Sequence, residues 1–167
     1  ILAEFFTNVK LTHSQTLMPM VESMLRCAAV PLSAVDCFAV THGPGSFTGV
    51  RIGTAAVKGM AMAEQKPCIG VSALAGLAQN LQGFEGKLLC PVMDARCSQV
   101  YNALFEFRGD QLVRLCDDRA LTIDALKKEL KESNFSIILV GDGAEMCYNL
   151  FQKDLEQVTL APPALRF

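Results

Sequence analysis

No apolar stretch in this chain reaches the roughly 18 to 20 residues that a membrane-spanning helix needs, so no membrane role is expected. No run of lysine and arginine occurs either, and the formal net charge is −2. That argues against a free-standing nucleic-acid binder, which displaces counterions with clustered positive charge. Charged residues make up only 19% and hydrophobic residues 51% of the 167, which excludes a disordered chain and suits one domain or two small lobes. Histidine is scarce: His13 and His42 lie far apart, neither has a ligand partner at i+3 or i+4, and no metal site is expected. No two of the seven cysteines have C-x-x-C spacing, and most sit in apolar runs such as CFAV, PCIGV and LLCPVM. They read as reduced, buried hydrophobes of a cytoplasmic protein rather than as disulfides or ligands. The opening ILAEFFTNVK has neither the charged n-region nor the apolar h-region of a signal peptide. It also lacks an initiating methionine, as expected of a chain that begins partway into its gene product.

What the chain does have is glycine at strand–helix junctions. THGPGSFTGVRIG, from Thr41 to Gly53, turns sharply at Gly43-Pro44-Gly45 before helix-forming sequence. A phosphate loop needs G-x-x-x-x-G-K-[ST], and no GK[ST] follows. The dinucleotide pattern G-x-G-x-x-G fails by one residue in its second gap, between Gly45 and Gly49. Ser46 or Thr48 is placed to cap the following helix. A second such junction is GDGA, at Gly141–Ala144, where two residues without Cβ could approach a nucleotide or form an ordinary turn. No G-x-S-x-G elbow is present. Asp117-Asp118 reads as a solvated turn, and Asp94-Ala95-Arg96 as a hairpin tip that holds either a cleft pair or a surface ion pair.

Along the chain, residues 1–7 read as an edge or hairpin strand, and 14–29 as a helix with Thr12 and Gln15 spaced as a capping box. AVDCFAV (34–40) reads as a buried strand, 48–65 as a helix, CIGV as a strand, and Ser72 as the cap of a helix reaching about Leu81. QNLQGFEGK (79–87) is the candidate lobe boundary, giving lobes at 1–82 and 83–167. Beyond it lie a hairpin with its turn at 94–98, a helix over 121–132, the strand SIILV, a helix over 145–153 and a last strand in QVTLAPPAL. Strand–helix alternation of this kind indicates an α/β fold. The second helix carries a small-residue stripe (Ala55, Gly59, Ala63) and the first carries Met18, Met20 and Met24. Both have more apolar surface than one core face needs, which predicts a helix–helix partner surface. Met18, Thr54, Val57 and Ala61 are assigned to its outer side.

HSQTLMPMVESML, VTHGPGSFTGVRIGTAAVKGMAMA, IGVSALAGLA and DARCSQVYNALF, in that order, resemble the TsaB (YeaZ) family of threonylcarbamoyladenosine biosynthesis proteins over nearly the whole chain. The resemblance implies an actin/hexokinase-like (ASKHA) α/β fold of two ribonuclease-H-like lobes. It also implies a role beside the paralogue TsaD in modifying the adenosine that follows the anticodon in tRNAs reading ANN codons. The ATPase TsaE would join, tRNA would be met only through the complex, and a homodimer through the same helices is open. TsaD carries two metal-binding histidines in an H-x-x-x-H pattern; aligning its VHHMEGH with VSALAGL puts Ala73 and Leu77 at those positions, and neither can bind a metal. Its loop similar to SGGHT corresponds to Asp94–Ser98, which has no glycine. The resemblance thus implies a non-catalytic scaffold, without metal or cofactor, that binds and activates TsaD, with Gly43, Gly45, Gly141 and Gly143 left as vestigial loops. An enzyme, either an M22-like metallopeptidase or an ASKHA-type kinase, is the alternative. TsaB proteins also begin with strands that precede the equivalent of ILAEFF, so N-terminal strands and a C-terminal tail are expected to be missing here.

Overall fold

The structure is a computed structural model that describes residues 1–7 and 12–166. It divides into two compact units, one of residues 1–42 and 46–71, the other of residues 43–45 and the chain from Ser72 onward. The division falls earlier than the 82/83 boundary read from sequence, because the helix after Ser72 buries its apolar side within the second unit.

In the first unit, residues 1–7 form no strand, contrary to expectation: no neighbouring strand pairs with them. Helix α1 (His13–Cys27) starts at Thr12. The Gln15 side chain accepts from the Thr12 backbone N–H at 3.3 Å and from its hydroxyl at 2.8 Å, so the pairing expected from their spacing holds. Pro31 then opens a 3-10 turn at Leu32–Ala34. That turn delays strand β1 to Phe38–Gly43, four residues later than the expected start, and of the predicted buried run only Phe38 is buried. Ser46 caps α2 (Phe47–Ala63), its hydroxyl accepting from the Gly49 N–H at 3.4 Å. Strand β2 (Cys68–Ser72) completes a two-stranded sheet with β1.

This unit has little core. Among its described residues only Phe38 and Ala61 are buried, and α1 contributes none. Ile1, Leu2, Phe6, Phe47, Met62 and Ile69 are all exposed. A two-stranded sheet is marginal without cover.

The second unit is built on one long strand, β3 (Leu88–Arg96). It runs antiparallel to β4 (Gln99–Asn102) and β5 (Phe105–Arg108), and parallel to β8 (Ile137–Val140). Strand β6 (Gln111–Arg114) pairs with β5, β7 (Arg119–Thr122) with β4, and β9 (Val158–Leu160) with β8, giving seven strands. Helices α3 (Ala73–Gln79), α4 (Ile123–Lys131) and α5 (Ala144–Phe151) cover the sheet.

The period-two alternation of a strand divides the core. Leu88, Cys90, Val92, Ile137 and Leu139 join Leu126, Leu130, Cys147 and Phe151 of α4 and α5 in one cluster. Leu89, Ile138 and Val140 join Leu74 and Ala78 of α3 in the other. Both faces are buried, which is why SIILV reads as an unbroken apolar run rather than an alternating one.

Candidate functional site

The two glycine loops differ in what fills them. At the first, Gly43 sits at φ 118°, a left-handed conformation that favours glycine, and the Gly43–Pro44 peptide is cis. A Cβ there would meet only the Gly45 N–H at 3.9 Å, so the loop needs glycine for its backbone rather than for close approach. The Ser46 hydroxyl takes the Gly49 N–H, so the cap satisfies one of the orphan donors at the start of α2. In the first unit the His42 ring lies over Gly70, where a Cβ would come within 2.8 Å of His42 Cδ2.

The second loop is shut against its own protein. Gly141 has φ 106°, and a Cβ on it would stand 2.4 Å from the Val92 carbonyl oxygen and 3.1 Å from Leu77 Cδ1. A Cβ on Gly143 would stand 3.1 Å from the Asp94 nitrogen, while its own N–H donates to the Val92 carbonyl at 3.1 Å. Asp142 accepts the Asp94 N–H at 3.2 Å. These glycines let the α5 junction lie directly on β3, and the space over them holds backbone and the Leu77 side chain. Position 77, one of the two that the resemblance compares with metal ligands, is thus occupied by alkyl packing.

Asp94 turns back on the hairpin tip, its carboxylate accepting the Arg96 N–H at 2.8 Å. Arg96, Cys97 and Ser98 follow with φ of 68°, 50° and 57°, three successive left-handed residues at a cost of roughly 1 to 2 kcal/mol each. Asp94–Arg96 forms neither a cleft pair nor a surface ion pair. Asp118, expected to be solvated, is engaged: it pairs with Arg114 at 2.5 Å and accepts the Ser72 hydroxyl at 2.7 Å. The same hydroxyl caps α3 by accepting the Ala75 N–H at 3.2 Å.

One network has no signal in the sequence. Asn102 is fully buried, and its amide donates to the Pro91 and Ala103 carbonyls at 3.0 Å and to Cys90 Sγ at 3.3 Å. Its oxygen accepts from Arg119, which also pairs with Glu129 at 2.8 Å. The members are 10 to 17 residues apart and meet only because β4 and β7 pair with Asn102 opposite Arg119.

Four of the seven cysteines correct the reading of buried thiols: Cys27, Cys37, Cys68 and Cys97 are exposed, Cys116 is half-buried, and only Cys90 and Cys147 are enclosed. All are free. Cys37 and Cys68 sit in the apolar runs CFAV and PCIGV, but the surface around them is itself uncovered. Among the described residues no three His, Cys, Asp or Glu side chains converge as metal ligands.

The residues chosen for the partner surface sort differently from expectation. Ala61 is only 5% exposed, and Thr54 and Val57 are half-buried on the same side of α2. The outward stripe is Arg51, Ala55, Gly59 and Met62, one step round the helix, with Met62 79% exposed. Apolar character alone could not tell these faces apart, because both are rich in small and apolar residues. Met18 on α1 is exposed.

A family model described as "TsaD: tRNA N6-adenosine threonylcarbamoyltransferase" matches residues 1–165. The chain belongs to that family. Within it the chain is similar to the "tRNA threonylcarbamoyladenosine biosynthesis protein TsaB" of Bacillus subtilis (strain 168), at 34% identity over 84% of this chain and 61% of the relative. It is 38% identical to the TsaB of Escherichia coli (strain K12) over 59% of this chain and 42% of that one. A solved structure, "YeaZ from Pseudomonas aeruginosa", superposes with a TM-score of 0.72 at 32% identity, over 84% of this chain and 66% of the other. The fold is accordingly of the actin/hexokinase-like α/β class. The chain spans less than two thirds of the length of these curated relatives. Among the described residues no helix is long and apolar enough to cross a membrane.

Proposed function

We propose that this chain is a non-catalytic subunit of a cytoplasmic tRNA-modifying assembly, which binds and activates a TsaD-type transferase in forming threonylcarbamoyladenosine in tRNAs reading ANN codons. An ATPase of the TsaE type joins the assembly, tRNA is met through it, and no metal or cofactor is held by this chain. The observation that carries the reading is the occupancy of the second glycine loop. Leu77 and the β3 backbone fill the space over Gly141 and Gly143, and the positions compared with metal ligands hold Ala73 and Leu77. The subunit role is supported by the exposed apolar sides of α1 and α2, where Met18, Ala55, Gly59 and Met62 offer a close-packing surface to the partner's helices, or to a second copy.

The test is to mix the purified chain with a TsaD-type transferase, measure the complex mass, and assay tRNA modification with and without it. A stoichiometric complex and a rise in modification are expected. Modification by this chain alone, or no complex at micromolar concentration, overturns the proposal.

A further inference from the structure

We draw no further inference here: the strongest candidate, the apolar cleft of about 360 Å³ that Phe5, Phe6, His13, Met20, Gly49 and Gly53 line beside the starts of α1 and α2, carries nothing because nothing in the structure shows what covers it.

Discussion

Gly59 and Gly141 differ in what an added methyl group would meet. Nothing lies within 4 Å of a Cβ on Gly59, in mid-α2, whereas on Gly141 the Val92 carbonyl lies 2.4 Å away and φ is already left-handed. Gly59→Ala should therefore raise stability by about 0.5 to 1 kcal/mol, the helix preference of alanine over glycine. Gly141→Ala should lower it by roughly 2 kcal/mol or more, from backbone strain together with the steric conflict. Urea melts followed by far-UV circular dichroism separate the two, and a neutral Gly141→Ala contradicts the shut loop. The enclosed thiols give a pH dependence. Burial pushes Cys147 up to about 12 from an ordinary value of 9.0, and it pushes Cys90 up as well, with Cys147 beside it adding to the effect. Each stays protonated in the fold while the unfolded chain ionises, so their contribution is whole below about pH 9 and is lost as pH rises toward 12. Stability should fall from about pH 9 with a slope approaching 1.4 kcal/mol per pH unit for each thiol, and Cys147→Ala should make it shallower. A flat profile between about pH 9 and pH 11 contradicts this. In the native protein a thiol reagent should label Cys27, Cys37, Cys68 and Cys97 quickly, and Cys90 and Cys147 only on unfolding. Fast labelling of all seven contradicts the burial pattern.

At the scale of the element, α2 presents two faces to two different tests. Tryptophan at Ala61 has no room and should unfold the first unit, since overpacking a close contact costs roughly 1 to 3 kcal/mol in a unit with little core to spare. Tryptophan at Gly59 projects into open space and should leave the helical signal intact while weakening the proposed complex tenfold or more. A folded Gly59→Trp protein that still binds a TsaD-type partner places the interface elsewhere. These faces show where sequence reading ran out. Capping residues named three helices well, because Thr12, Ser46 and Ser72 meet partners three residues away. The unbroken apolar run at Ile137–Val140 likewise announced a strand, which the fold buries on both sides. Strand β7 takes residues 121 and 122, which read as the start of the 121–132 helix, because pairing with β4 holds Arg119–Thr122 extended and α4 begins only at Ile123. The inner face of α2 was not legible either, since Thr54-Ala55-Ala56-Val57 offers small residues on every side and only packing decides among them. The Asn102–Arg119–Glu129 network depends wholly on long-range register, and no local pattern encodes it.

The whole molecule is uneven. Among the described residues the buried side chains lie almost entirely from Leu74 onward, whereas the first unit buries Phe38 and Ala61 alone. Hydrogen exchange on the isolated chain should therefore show α1, α2, β1 and β2 exchanging readily, with β3, β5 and β8 protected longest. Adding a TsaD-type partner should slow exchange in α1 and α2. Uniform protection in the free chain contradicts the uneven burial. Both tyrosines, Tyr101 and Tyr148, lie in the second unit, so tyrosine fluorescence follows that unit's unfolding separately. The pairing of β3 with β8 also has a consequence in time. Leu88 lies beside Ile137, so the hub strand leaves the ribosome about 50 residues before the strand that closes its parallel edge. At 5 to 20 residues per second that is an interval of roughly 3 to 10 s. Throughout it Leu88–Val92 lacks β8 and the helix α5 packed beyond it, and the nascent chain displays an apolar strand with an open edge to whatever the cell provides to shield it.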